Sequence, residues 1–212
     1  MTPLKKYACA LFLINLLLLT MPSCSTVPTL NVNYRTPGET NQLKGKKVFL
    51  EIRDSRSDKE MLGNGAKEDF ANISETVSLS VAEGNEKGFK VGLFPVTGLM
   101  KEIFKERLKG LGLEVVTDIN GKGNEPTVAV DLQAFKLDLI KGTVKRTWTA
   151  SMAYNIEILE NGKVLASNKI SGESEKLKII LRKEADSLVS DLVTDLVNRL
   201  NAEALFKEAG II

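Results

Sequence analysis

Few side chains of this chain are suited to chemistry. Its 212 residues include no histidine, which excludes Ser-His-Asp and Cys-His catalysis, imidazole metal ligands and a histidine pH switch. Asp131 and Asp138 lie seven residues apart in one predicted strand. A two-carboxylate hydrolase needs such groups about 5–9.5 Å apart, and 27 acidic residues offer many chance pairs. We therefore expect no enzyme, no metal and no cofactor, with a hydrolase at these two acids as an alternative.

A second charged group follows a predicted apolar strand. Asp54, Arg56 and Asp58 alternate with serines there. Alternating acid and base can form ion pairs and Asx turns that fix a loop, and the same three charges could dock a partner. Both interpretations stay open. The nearby Gly63-Asn64-Gly65 lacks the spacing of a phosphate-binding loop and is predicted to be a turn.

The N-terminus has the parts of an export signal. Lys5 and Lys6 form a basic start, and the apolar run Ala8–Leu19 follows. The run is shorter than the roughly 20 residues of a spanning helix, which disfavours an uncleaved anchor. Met21-Pro22-Ser23-Cys24 then resembles a bacterial lipobox, in which the cysteine is acylated and becomes the first residue of the mature chain.

Cys24 is therefore the predicted lipidation site. Pro22 departs from the lipobox pattern, and ordinary cleavage after Ser25 is the alternative. Cleavage before Cys24 discards Cys9, so the folded body would keep no free thiol or disulfide. That excludes cysteine catalysis, zinc-cysteine sites and redox chemistry. The acyl chains, palmitate among them, would tether the protein, since each buried CH₂ contributes about 0.8 kcal/mol.

The charge balance limits the partners. The chain has 29 Lys and Arg against 27 Asp and Glu, and loss of Lys5 and Lys6 with the signal peptide leaves 27 of each. Nucleic-acid binders usually need a basic excess on one face, so we expect no nucleic-acid partner. The expected partners are the membrane, through the acyl chains on Cys24, and an envelope protein or glycan. The sequence does not indicate the oligomeric state.

The rest of the sequence predicts one domain behind a tether. Residues 1–23 are the predicted signal peptide, 24–44 a flexible tether with a reach of up to about 60 Å, and 45–212 a single α/β domain. Val96–Leu111 is predicted to be an amphipathic helix with Thr97 as its N-cap.

The strands predict a mainly antiparallel sheet. Val77–Val81 and Phe89–Leu93 predict a hairpin, and residues 128–170 a meander with a bulge near Ala134 and a type I′ turn at Asn161-Gly162.

The apolar stripe from Leu181 to Leu200 predicts a long helix that packs across this sheet, with a partner-binding or coiled-coil helix as the alternative. The expected fold class is thus α+β, with two amphipathic helices packed on one face.

The order of these features resembles that of the uncharacterised YajG-type bacterial lipoproteins. It comprises the lipobox, a strand that ends in Asp54-Ser55-Arg56-Ser57-Asp58, a Leu62-Gly63 loop, an amphipathic helix, paired strands and a long C-terminal helix. The resemblance implies an envelope lipoprotein with a small α/β domain and no established activity. The layout is also similar to that of auxiliary lipoproteins of envelope ABC transporters, which share a sheet backed by two helices. In a Gram-negative organism, Ser25 after the cysteine, rather than Asp, would imply sorting to the outer membrane.

We expect Cys24→Ala to abolish membrane attachment, because it removes the only predicted acylation site. The measurement is fractionation of cells together with labelling by a palmitate analogue. A wild-type protein that fractionates with the soluble periplasm would contradict the prediction.

Overall fold

A computed structural model describes residues 29–70, 74–84, 86, 88–142, 146–177 and 182–212. The predicted signal peptide and Cys24 lie outside these residues. No helix in the described ranges is long and apolar enough to cross a membrane. The elements in chain order are β1 (Leu30–Thr36), β2 (Lys47–Asp54), α1 (Asn64–Asp69), β3 (Val77–Glu83), β4 (Phe89–Phe94), α2 (Val96–Gly110), β5 (Glu114–Val116), a 3₁₀ turn (Ile119–Gly121), β6 (Thr127–Lys141), β7 (Arg146–Glu160), β8 (Lys163–Leu177), α3 (Arg182–Asn198) and α4 (Ala202–Glu208).

The larger sheet has five strands in the order β5-β2-β6-β7-β8. Its last three strands form the predicted antiparallel meander, while β2 runs parallel to β5 and β6. The predicted bulge lies between Leu132 and Ala134, and the turn after β7 has positive φ at Asn161 (51°) and Gly162 (79°), as a type I′ turn requires. Alternate residues of β7 are buried on the face that α3 contacts. The predicted α+β class is confirmed.

The smaller sheet corrects the predicted tether. Its order is β1-β3-β4, with β1 parallel to β3 and with β3 and β4 forming the predicted hairpin. β1 lies within the predicted tether, yet Leu30, Val32 and Tyr34 are at most 1% exposed. The prediction of a flexible tether is wrong over this stretch, because apolar residues at every second position form a half-buried strand even between prolines. The folded domain therefore begins by residue 30.

Two helices join the two sheets into one core. α2 contacts β2 and β5 of the larger sheet and all three strands of the smaller one, and α3 contacts β1, β7 and β8. α2 begins two residues earlier than the predicted cap implies. Its N-cap is Pro95, whose φ is −63°, and no side chain caps it. The N-cap prediction for Thr97 is wrong, because Thr97 lies inside the first turn.

Side chains of α3 cover the edge strand β1. The outward N–H groups of β1 donate to polar side chains spaced four residues apart on α3: Asn31 to Asp186 (2.9 Å), Asn33 to Ser190 (2.9 Å) and Arg35 to Thr194 (3.3 Å). Two strand residues advance about 6.6 Å and four helix residues about 6 Å, so the two series stay in step. The edge that would otherwise be open is thereby paired.

The carbonyls near the end of α3 are also paired. The Tyr154 hydroxyl donates to the Leu196 carbonyl (3.0 Å), and Nη2 of Arg107 donates to the Leu200 carbonyl (3.2 Å). The last carbonyls of a helix have no intrahelical donor, so buried ends need such partners. Burial raises the pKa of the Tyr154 hydroxyl, which keeps it a donor at any physiological pH.

We expect Ser190→Ala to lower the free energy of unfolding by about 1 kcal/mol, because the Asn33 N–H loses its acceptor. Ser187→Ala is the matched control, since Ser187 is exposed and bonds to Asp191 of the same helix. Urea denaturation of both variants is the measurement. Equal losses in the two variants would contradict the structural role of Ser190.

Candidate functional site

The chain leaves the larger sheet at the end of β2 and returns a few residues later. β2 ends at Asp54, and Leu62 forms an isolated parallel bridge with Leu137 of β6. Two backbone bonds hold the return: Gly63 N–H to the Leu137 carbonyl (2.8 Å) and Leu137 N–H to the Met61 carbonyl (2.8 Å). The bulge of β6 lies along the stretch between these two pairings. The loop between them carries the charged motif.

Asp54 and Arg56 form one buried ion pair. Nε and Nη2 of Arg56 each donate to a carboxylate oxygen of Asp54 at 2.9 Å, and the Arg56 backbone N–H donates at 3.2 Å. The Arg56 side chain is 5% exposed and the Asp54 side chain 19%. The hydrogen bond from Arg56 holds the pKa of Asp54 well below its usual range, against the opposing effect of burial, and Lys59 adds to the lowering. Asp54 is therefore a stable carboxylate at neutral pH.

Asp58 belongs to a separate contact. It accepts from the Glu60 N–H (2.9 Å) and pairs with Lys136 of β6 (2.5 Å), and that lysine hydrogen bond lowers its pKa. The structure thus brings Asp54 and Arg56 together and directs Asp58 elsewhere. Both contacts fix the loop. A docking role for these three residues stays a prediction.

A cavity of about 600 Å³ lies beside the Asp54–Arg56 pair. Arg56 and Lys59 line it from the loop, Phe70 from the end of α1, Glu75 from the segment before β3, and Pro95–Thr97 from the start of α2. Volumes of about 300–1,000 Å³ are typical of small-molecule sites. The sequence did not indicate this cavity, because its walls come from four separate segments.

One donor at this site has no partner. Nη1 of Arg56 is buried and makes no hydrogen bond with any described residue. An unpaired buried donor costs about 1–3 kcal/mol, so such groups usually have a partner in the functional state. Arg56 is the site residue that most needs explanation.

Asp131 and Asp138, the two acids of the hydrolase alternative, do not lie close together. Asp131 lies in register with Arg53, whereas Asp138 accepts from the Ala66 N–H (3.4 Å) at the start of α1. Seven residues of strand with one bulge separate them by about 20 Å, well beyond the spacing such a hydrolase needs. Their separate positions remove the geometric basis for that alternative.

The turn predicted at Gly63-Asn64-Gly65 is instead the start of α1. A Cβ at Gly63 would lie 2.0 Å from the Asp138 carboxyl carbon, and a Cβ at Gly65 would lie 2.0 Å from the Leu139 carbonyl oxygen. These glycines therefore allow close packing of α1 on β6, a requirement that spacing alone does not reveal.

The comparisons with known proteins concern the fold. No protein-family model and no curated protein matches the chain. A Xanthomonas campestris protein of family DUF330 is 13% identical, with a TM-score of 0.55, over 86% of this chain and 96% of that chain. A minor lipoprotein from Acinetobacter baumannii is 11% identical (TM-score 0.38; 76% and 95%), and rare lipoprotein B from Shewanella oneidensis is 11% identical (TM-score 0.39; 77% and 98%). Of these three, the DUF330 protein has a TM-score above 0.5, and the chain shares its fold.

We expect Asp54→Asn to lower the free energy of unfolding at pH 7 by about 3–5 kcal/mol, because it leaves a buried Arg56 without its counter-charge. The native pKa of Asp54 is lowered, so its contribution is complete above the unfolded pKa of about 4 and is lost as the pH falls below that value. The difference in free energy of unfolding between wild type and variant should therefore decrease as the pH falls from about 5 to about 2.

Asp191→Asn is the matched control, because it removes an exposed pair with Arg35 (2.5 Å). Its cost should stay below about 1 kcal/mol. Urea denaturation across this pH range is the measurement. If the difference in free energy of unfolding between wild type and Asp54→Asn stayed constant with pH, the stability loss could not be assigned to the Asp54 carboxylate.

Proposed function

We propose that this chain is a membrane-anchored envelope lipoprotein, of the YajG type, whose α+β domain binds a partner and does not catalyse a reaction. In a Gram-negative cell, acyl chains on Cys24 would anchor it in the outer membrane facing the periplasm. The lipobox-like signal supports the anchor. The cavity beside Arg56 supports the binding role.

One observation carries the proposal: the folded domain begins close in sequence to Cys24, the proposed anchor. Leu30 starts β1 and is fully buried, and it lies six residues after Cys24. Six residues reach at most about 20 Å, a third of the reach predicted for a tether to residue 44. The domain would therefore sit at the membrane surface and not hang far from it.

The same connection would hold the cavity on the membrane side. Leu30 pairs with Val77, and Val77 pairs with Phe94, so these three residues form one end of the smaller sheet. Thr76 and Pro95, the next residues beyond that end, line the cavity. The anchor and the cavity thus share one end of the domain, which suits a site that receives something at or near the membrane.

The chemistry of the cavity favours binding over catalysis. Asp54 is held as a carboxylate by Arg56, and its lowered pKa makes it a weak general base. Lys59 donates to the Asp54 carbonyl (2.6 Å) and pairs with its carboxylate (3.1 Å). These charges are engaged with one another, so they fix the wall of the cavity in place.

A second candidate is an auxiliary lipoprotein subunit of an envelope ABC-type transport system. The observation in its favour is that two helices, α2 and α3, back the larger sheet, as that resemblance implies. Co-purification of the full chain with an ATPase would assign it to that role.

The test of the short connection measures the distance of two sites from the bilayer. A fluorophore is attached at Glu75→Cys, on the cavity rim, or at Glu160→Cys, at the other end of the larger sheet; both residues are exposed. Glu160 follows Leu159, which pairs with Thr127 at the start of β6. Thr127 lies five residues, or about 17 Å of strand, from Leu132, and Leu132 pairs with Asp54 beside the cavity.

In nanodiscs with spin-labelled head groups, we expect strong quenching at position 75 and weak quenching at position 160. A 20-residue Gly-Ser insertion after Ser25 is the control, and it should remove the difference. Equal quenching at both positions without the insertion would refute the membrane-facing placement.

A further inference from the structure

The outer edge strand of the smaller sheet carries exposed apolar side chains. β4 is last in the order β1-β3-β4, so its outer side has no neighbouring strand in the part of the chain that the structure describes. Phe89 is 65% exposed, Val91 37% and Leu93 54%. Single exposed apolar residues are common on proteins, whereas three within five residues of one strand indicate an interaction surface. Together these three residues form the β4 edge.

Among the described strands, the other sheet edges are protected in ways that β4 lacks. Polar side chains of α3 accept hydrogen bonds from the outward N–H groups of β1. β5 has three residues, and the outer strand β8 carries charged residues, among them Lys169, Glu173 and Glu175. Short, covered or charged edges resist unwanted association, so an apolar edge in the same domain calls for a partner.

The backbone of β4 is poorly suited to pairing with another strand. Gly92 pairs with Leu79 and Lys90 pairs with Ser80, so Val91 is the extra residue of a bulge. A bulge bends the strand, increases its twist and interrupts the regular row of hydrogen bonds. Bulges on edge strands therefore disfavour edge-to-edge pairing. The β4 edge offers apolar side chains without a regular backbone template, which favours lipid over a second strand as the partner.

The proposed anchor brings the β4 edge within reach of a bilayer. Leu30 of β1 and Phe94 of β4 lie in one row across the smaller sheet. Neighbouring strands are about 4.8 Å apart and residues along a strand about 3.3 Å, so Leu93 lies about 10 Å from Leu30 and Phe89 about 16 Å. The connection from Cys24 to Leu30 spans up to about 20 Å. It is therefore long enough for the β4 edge to contact the membrane that holds the acyl chains.

We propose that the β4 edge docks on the lipid bilayer and so fixes the orientation of the anchored domain. The inference rests on the proposed anchoring through Cys24. An open sheet edge does not enter the hydrocarbon core, because its free N–H and C=O groups would lose their water. The backbone of β4 therefore stays among the head groups, and its apolar side chains reach the outermost part of the acyl chains. Lys90, exposed in the same strand, keeps its charge in the head-group layer.

A fluorophore in the β4 edge measures docking and its depth. It is attached at Val91→Cys or, as the matched control, at Val164→Cys, since Val164 of β8 is similarly exposed (45%). The acylated full chain is placed in phosphatidylcholine nanodiscs with a spin label on the acyl chain, either next to the head group or near the end of the chain. We expect strong quenching at position 91 by the shallow label and weak quenching there by the deep label. Both labels should quench weakly at position 164.

A double substitution tests the apolar side chains themselves. Phe89→Ser with Leu93→Ser removes the two most exposed side chains of the β4 edge, and their exposure predicts little change in Tm. The ratio of docked to undocked protein, measured by quenching at position 91, should fall by at least about tenfold, because apolar contact with lipid is lost. Val164→Ser with Leu177→Ser is the matched control, since it removes two exposed apolar side chains of β8. This control should dock as the wild type does.

Three results would overturn the inference. The first is equal quenching by the acyl-chain labels at positions 91 and 164, and the second is undiminished docking of the folded Phe89→Ser, Leu93→Ser variant. The third is pairing with a second copy, seen as fluorescence at position 91 that depends on the number of chains per nanodisc and not on the spin-labelled acyl chains.

The head-group experiment at position 75 is read separately. Head-group quenching at position 75 without acyl-chain quenching at position 91 would keep the membrane-facing placement of the cavity and overturn only the docking of the β4 edge. Acyl-chain quenching at position 91 without head-group quenching at position 75 would support docking and refute that placement. The two failures are thus distinguishable.

Discussion

The hydrogen-bonded contact between β1 and α3 is the constraint on which the rest of the structure depends. β1 is an edge strand, and an edge strand with free N–H groups is both costly to bury and open to pairing with other chains. Asp186, Ser190 and Thr194 provide acceptors at the spacing that β1 requires. Because α3 also packs on β7 and β8, the same contact joins the smaller sheet to the larger one. It also sets where the folded domain starts.

The loop between the end of β2 and Leu62 is the constraint on which the candidate site depends. A strand that continued through residues 55–60 would fill the sheet and leave no loop. The chain instead leaves β6 at its bulge and returns at Leu62, and the loop buries Arg56 against Asp54. A buried ion pair seldom contributes much net stability, since desolvation offsets the attraction. This one holds the loop that lines the cavity, and it leaves Nη1 of Arg56 buried without a hydrogen-bond partner among the described residues.

Strong local patterns allowed much of the fold to be predicted. The meander, the bulge near Ala134, the turn at Asn161-Gly162 and the long C-terminal helix all follow from periodicity over neighbouring residues. β1 was missed because its seven residues lie in a segment with the composition of a linker. The role of Gly63 and Gly65 was missed because close packing against β6 leaves no trace in spacing.

By itself, the sequence predicted an export signal and acylation at Cys24, excluded histidine chemistry and indicated the periodic elements. These depend on residue type and on neighbours a few positions apart. Only the tertiary structure decided that residues 30–36 belong to the domain, that Asp131 and Asp138 lie apart, and that Arg56 and the start of α2 line one cavity. Such features depend on partners far apart in the chain, such as Asn31 and Asp186, which are 155 positions apart. Burial and hydrogen-bond partners at that separation are set when the elements pack together.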